Sequence, residues 1–362
     1  MIIEEKFMWR CLELARCGAG HTEPNPMVGA VVVHDGKIIG EGYHRKCGEG
    51  HAEVNAIASV RDESLLRDAT LYVSLEPCSH YGKTPPCAEL ILRKRIPRVV
   101  VGCMDPFPEV SGRGVKMLRE GGVEVVTGVL EREAWELNRV FMTVQTLRRP
   151  YIRLKWAQSR DGVIDKVRTS AAEPPVVFST PETQVRVHKM RAESAAIMVG
   201  TRTALLDNPS LTVRRWAGQS PVRVVLDWEF LIPNDYHLLD GSQPTLVFTS
   251  EGKGQEGKEI PGVTYCELDR KVAVLPQILD ELYRRKLNSL MVEGGAMLLN
   301  SFLEAGLWDE ATVETAPVEL GAGVEAPIIR QPAAETLFCA GHRIDIYRRR
   351  HSVGDNKISK SL

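Results

Sequence analysis

The chain has 362 residues, a length that predicts two or three domains, and with 43% of them apolar and 26% charged a disordered or fibrous protein is excluded. Its 46 basic and 47 acidic side chains leave a formal charge of −1, with no sign of the basic field that nucleic acid or an anionic membrane surface would require. No apolar run reaches the roughly 18 residues needed to span a bilayer. Glu4 and Glu5 stand where a secretory signal would carry positive charge, so a cytoplasmic location is expected. Eight cysteines are too few to frame a chain of this length, and clustered Cys and His then read as metal ligands or catalytic groups.

In chain order, Phe7, Met8, Cys11, Leu12 and Ala15 form the apolar stripe of a first helix. Val28–His34 and Lys37–Tyr43 are β-rich runs meeting at Asp35-Gly36, a strong hairpin signal. A helix near Ala52–Val60, a strand near Thr70–Leu75, a helix near Pro86–Arg95 and a strand at Arg98–Cys103 follow. A helix near Gly114–Glu120, a strand at Val123–Val129 and a helix at Glu131–Val140 complete the series. A hairpin followed by alternating helices and strands predicts a three-layer α/β/α domain, mostly parallel after the hairpin.

The helical pattern stops at Arg148-Arg149-Pro150, giving domains 1–147 and 148–362. The second half alternates again, with strands expected at Tyr151–Ala157, Ala196–Val199, Val222–Leu226, Thr245–Thr249 and Leu290–Glu293.

In the first half, His-Ala-Glu at 51–53 opens a helix, and Leu-Glu-Pro-Cys-Ser-His-Tyr-Gly-Lys-Thr-Pro-Pro-Cys runs from Leu75 to Cys87. Catalytic zinc takes three nitrogen or thiolate ligands and leaves a fourth position for water. His51, Cys78 and Cys87 supply that set, one zinc per chain, with both thiolates near helix starts where the ionised form is favoured. Zinc lowers the pKa of its water to about 7. Glu53, two residues past the histidine, can then carry protons without ligating the metal. H-x-E followed by P-C is the signature of zinc deaminases, which remove ammonia from an amidine-like ring carbon. Cys47, four residues before His51, is a rival ligand.

The spacing departs from most such enzymes, because eight residues separate Cys78 from Cys87. With Pro24-Asn-Pro-Met-Val-Gly29 and Met104-Asp-Pro-Phe-Pro108, the motif resembles the bifunctional riboflavin-biosynthesis pyrimidine deaminase/reductases. The resemblance implies a cytidine-deaminase-like first domain that hydrolyses the 2-amino group of a diaminohydroxy-phosphoribosylaminopyrimidine. It also implies that Asn25, His44 and His80 lie at that substrate. Phe107 stands where the family more often has Asn.

The second half has no G-x-G-x-x-G, so a standard Rossmann site is not supported. It does have a strand, Glu293-Gly294-Gly295, and then a helix, a turn whose backbone can approach a phosphate. Lys155–Gly162, Met190–Glu193 and Val199–Arg214 resemble the reductase domain of the same family. The resemblance implies a dihydrofolate-reductase-like α/β fold that uses NADPH. By the same match, Ala157, Thr203, Asp207, Gly294 and Gly295 would line the cofactor, and Arg191, Leu211, Arg214 and Glu293 would hold the substrate. Arginines suit a ribose phosphate because they donate charge-assisted hydrogen bonds. Between Asp165 and Thr180 the chain departs from the G-E-S-x-W-I-T-like segment of many relatives and reads K-V-R-T-S-A-A-E-P-P-V-V-F-S. Arg202 is the candidate for the 2′-phosphate of the cofactor.

The reading is therefore zinc-dependent deamination followed by NADPH reduction of the ribose to a ribitylamino product. The partner is a small molecule rather than nucleic acid or membrane, and a homo-oligomer, dimer or tetramer, is expected. The rivals are another zinc deaminase with a C-terminal binding module, and a non-enzymatic protein with structural zinc.

Overall fold

A computed structural model describes residues 3–79, 81, 85–106, 111–253 and 259–349. It divides into two compact units, Met1–Arg148 and Arg149–Leu362.

The first unit runs α1 (Glu5–Arg16), β1 (Gly29–His34), β2 (Lys37–Tyr43), α2 (Ala52–Ala58), β3 (Thr70–Leu75), α3 (Cys87–Arg93), β4 (Arg98–Cys103), α4 (Arg113–Glu120), β5 (Glu124–Thr127), α5 (Glu131–Leu137) and α6 (Arg139–Leu147). The sheet order is β2-β1-β3-β4-β5. β1 is antiparallel to β2 and β3, and β3, β4 and β5 are parallel. Asp35 and Gly36, at φ of 46° and 69°, make the hairpin turn in the left-handed region. Alternating strand residues supply two apolar faces. Ala30, Val32, Val73 and Val101 pack against α2, α3 and α4, whereas Val31, Val33, Tyr72 and Val100 pack against α1. This is the predicted three-layer arrangement. α2 lies hard on β2, since a Cβ on Gly42 would sit 2.3 Å from the Ala56 nitrogen.

The single helix expected at Glu131–Val140 is two helices, α5 and α6, broken at Asn138. The reason is a tertiary contact. Asn138 is buried, donates from Nδ2 to the Met27 carbonyl and accepts the Met27 N–H on Oδ1, both at 2.8 Å. Truncating it strands two main-chain groups, so Asn138→Ala is expected to cost roughly 1–3 kcal/mol, read from denaturant unfolding.

The second unit is built on a nine-stranded sheet. Its strands are β6 (Tyr151–Gln158), β8 (Ala196–Val199), β9 (Val222–Leu226), β10 (Thr245–Ser250), β11 (Val263–Leu268), β12 (Ser289–Glu293), β13 (Glu310–Thr315), β15 (Glu335–Cys339) and β16 (His342–Arg348). The short β7 (Val163–Asp165) and β14 (Val324–Glu325) pair separately. The order in the large sheet is β11-β10-β9-β8-β12-β6-β13-β16-β15, parallel as far as β13 and antiparallel at β16 and β15. α9 (Val274–Arg284) and α10 (Ala296–Glu304) cover one face through Ile278, Leu282, Leu299 and Phe302. α7 (Pro181–Ala192) and α8 (Thr201–Asp207) lie on the other, where Val187 and Ala204 join Ile197, Val199 and Met291. Ligands in such α/β sheets collect beyond the carboxyl ends of the parallel strands. Those ends carry Ala157 on β6, Val199 on β8 and Glu293 on β12.

Candidate active sites

In the first unit, His51 immediately precedes α2 and Cys87 is the first residue of α3. Their ligand atoms and that of Cys78 all lie within 4.8 Å of one another. The Sγ atoms of Cys78 and Cys87 are 3.5 and 3.4 Å from His51 Nδ1. Zinc–sulfur and zinc–nitrogen bonds at tetrahedral angles demand a sulfur-to-nitrogen spacing of about 3.5 Å. The donor set and its size therefore fit zinc. The Cys87 N–H also donates to Cys78 Sγ at 3.3 Å, and the Cys78 thiol is lowered to about 4 by its hydrogen bonds with Cys87 and then His51, despite burial. Cys47 is exposed and stands outside the cluster.

Glu53 is buried beside these groups and is not among the clustered ligands. Burial, reinforced by the Cys78 sulfur, pushes its carboxyl up to about 7. A buried carboxyl that stands beside the ligand set without belonging to it suits general acid–base work.

Asn25 and His44 meet at the same place. The His44 ring stands edge-on to that of His51, with centroids 5.5 Å apart. His44 Nδ1 lies 3.2 Å from the Gly50 carbonyl, which can only accept, so Nδ1 carries the proton. Nε2 then accepts from Asn25 Nδ2 at 3.2 Å. Burial lowers the His44 pKa and keeps the ring neutral. His80, Lys83 and Phe107 lie outside the described residues.

Two supports of this site escaped the sequence reading. Glu76, buried, accepts four main-chain N–H groups, from Asp105 (3.3 Å), Gly112 (3.0 Å), Gly114 (3.0 Å) and Val115 (3.2 Å). It thereby ties the turn before Cys78 to the start of α4. Asn55 donates to the carbonyls of Tyr43 and Gly50 and fixes α2 against the end of β2. The glutamate of Glu-Pro-Cys was the one available signal.

In the second unit, the nine residues that the resemblance assigns to cofactor and substrate all line one cleft of about 870 Å³. Gly294 and Gly295 adopt φ of 92° and 74°, where any other residue is strained, and a Cβ on Gly295 would press on Thr203 Oγ1 at 3.0 Å. Ala157, Thr203 and Asp207 line the same cleft. Arg191 donates to Glu293 from Nη2 (2.6 Å) and Nε (3.1 Å), and from Nη1 to the Thr212 carbonyl at 3.0 Å. Arg214 bonds the Ser210 and Thr212 hydroxyls through Nη1. Its main-chain N–H donates to Nδ1 of buried His188 at 2.9 Å, and Leu211 is buried in a left-handed backbone conformation at φ 53°. His188, missed in the sequence, is held neutral by burial and then by the positive charges of Arg191 and Arg214. Arg202 also lines the cleft, with Nη2 on the Arg168 carbonyl at 2.9 Å.

Comparison with known proteins covers both halves. Residues 1–103 match the cytidine and deoxycytidylate deaminase zinc-binding region, and residues 150–344 match the RibD C-terminal domain. The chain is 44% identical over 325 residues to riboflavin biosynthesis protein RibD of Aquifex aeolicus, covering 89% of each chain. It is 42% identical to the same protein of Bacillus amyloliquefaciens, over 90% of this chain and 87% of that one. A solved structure from Thermotoga maritima, a diaminohydroxyphosphoribosylaminopyrimidine deaminase/5-amino-6-(5-phosphoribosylamino)uracil reductase, superposes with a TM-score of 0.83. It is 37% identical, over 95% of this chain and 98% of that one. Among the described residues no helix is long and apolar enough to cross a membrane.

Proposed function

The chain belongs to the RibD family of riboflavin-biosynthesis deaminase/reductases, and from that premise we propose how its residues divide the two reactions, with deamination in residues 1–147 and reduction in residues 148–362. The observation that carries the assignment is the convergence of the sequence-selected residues on two sites, one a three-ligand cluster and the other a single cleft.

His51, Cys78 and Cys87 would hold the zinc. When bound there, the metal supplies a Lewis acid that makes water acidic enough to attack C2 of the diaminopyrimidine near neutral pH. Glu53 takes the two protons of the attacking water in turn, passing the first to the ring nitrogen and the second to the departing amine, so that water and the 2-amino compound become the 2-oxo compound and ammonia. The neutral pair of Asn25 and His44 orients the ring, and His80 joins them by resemblance.

In the second domain NADPH supplies the hydride that reduces C1′ of the ribose. The Gly294–Gly295 turn brings main chain to the cofactor, flanked by Ala157, Thr203 and Asp207. Arg191, already braced by Glu293, and Arg214, braced by His188, hold the phosphorylated ribose beside Leu211. Positioning and charge suffice, because the hydride chemistry belongs to the cofactor. Cytoplasmic location and homo-oligomeric assembly belong to the same reading, and fractionation and sedimentation test them.

Incubation with the diaminopyrimidine phosphate, with and without NADPH, tests the assignment as a whole. Ammonia is expected in both cases and loss of nicotinamide absorbance only in the first. Arg214→Ala should impair reduction while ammonia release continues, and unchanged reduction would remove Arg214 from the site. Arg202→Ala should narrow the preference for NADPH over NADH, and an unchanged ratio would end that residue's assignment to the 2′-phosphate.

A further inference from the structure

The 166–179 segment forms a wall of the reductase cleft, to which it contributes Val176, Val177 and Phe178. Its anchorage converges on one side chain. Arg168 is only 4% exposed, although arginine is seldom buried without partners. A guanidinium has five N–H donors, and in Arg168 all three nitrogens are hydrogen-bonded within the protein. Nε and Nη2 reach Asp165 Oδ2 at 2.7 Å, and Nη2 also reaches Asp207 Oδ1 at 2.5 Å. Nη1 donates to the carbonyls of Glu173 (3.2 Å) and Leu206 (3.4 Å).

The partners belong to separate elements. Asp165 ends β7 and closes the loop on itself, since its Oδ1 accepts the N–H of Lys166 at 2.8 Å and of Val176 at 3.0 Å. Asp207 ends α8, the helix that presents Thr203 to the cleft. Beyond Arg168, the far end of the wall is tied by Ser179 Oγ to Glu314 at 2.6 Å. A guanidinium this buried, with every nitrogen bonded to the protein, is committed to the fold rather than offered to phosphate or ribose. What it does is hold two carboxylates together that would otherwise repel.

We propose that Arg168 is a positioning residue of the reductase, clamping the 166–179 loop onto the helix that carries Thr203 and Asp207 and so presetting the wall of the cleft. The proposal deepens, and rests on, the reading of this cleft as the NADPH site. A clamp of this kind acts on the fraction of molecules ready to bind. Apparent affinity falls as the inverse of that fraction. The step after binding is untouched, so the clamp separates KM from kcat.

The test is steady-state reduction of pre-deaminated pyrimidine by full-length Arg168→Met and Arg168→Lys chains, each shown to be folded by circular dichroism. Arg168→Met is expected to raise the KM for NADPH about tenfold, a loop ordered about one tenth of the time, with kcat held within about threefold. Arg168→Lys keeps the charge without the fork and should fall between it and the wild type. An unchanged KM in Arg168→Met overturns the proposal, as does a fall in kcat at unchanged KM. If Arg168→Met does not fold, an unchanged KM in Arg168→Lys overturns it. Fluorescence titration of Gly295→Val with NADPH separates the two levels. Binding that survives this substitution removes the cleft reading, whereas binding lost there with Arg168→Met unaffected removes the clamp alone.

Discussion

Glu53→Gln is expected to reduce ammonia release by about 10³–10⁴-fold, the upper part of the range for lost general acid–base catalysis, because more than one proton transfer passes through this carboxyl. The substitution keeps size and shape in a buried position, so a change of packing cannot account for the loss. Zinc should remain bound, since Glu53 is not among the clustered ligand atoms. Zinc loss on this substitution, or ammonia release within tenfold of wild type, would remove Glu53 from the role.

Cys78→Ser and Cys87→Ser should each lose most of the zinc, measured by metal analysis, and with it deamination down to background. A hydroxyl is a poor substitute for a thiolate on zinc, and the site has only three protein ligands to share the loss. In Cys78→Ser the Cys87 N–H additionally loses its sulfur acceptor. Wild-type protein should carry about one zinc per chain. Full retention in both variants with loss in Cys47→Ser would mean that the wrong thiolates had been identified.

The zinc cluster was legible because each ligand sits in a short contiguous motif and the chemistry demands those residue types. The strands of both sheet centres were legible because they are runs of Val, Ile and Leu between turn residues. The C-terminal strands were not, and β13 shows why. It reads Glu-Ala-Thr-Val-Glu-Thr, yet Glu310, Thr312 and Glu314 are buried. Glu310 is matched by Arg153 and Arg348, and Glu314 by Ser179 and His342, partners far along the chain. A hydrophobic pattern cannot register a strand whose buried positions are charged. The same holds for Asn138, His188 and Arg168, ordinary polar residues in sequence whose roles come entirely from what the fold sets against them. Glu76 differs only in standing next to a motif that drew attention for another reason.

The central claim is that the two reactions use separate residues in separate parts of the chain, and one measurement bears on it directly. Folded, zinc-loaded Glu53→Gln protein is given pyrimidine that is already deaminated, and NADPH oxidation is followed. Reduction at close to the wild-type rate is predicted, because every residue assigned to the reductase lies from Ala157 onward. Reduction abolished along with deamination would contradict the account.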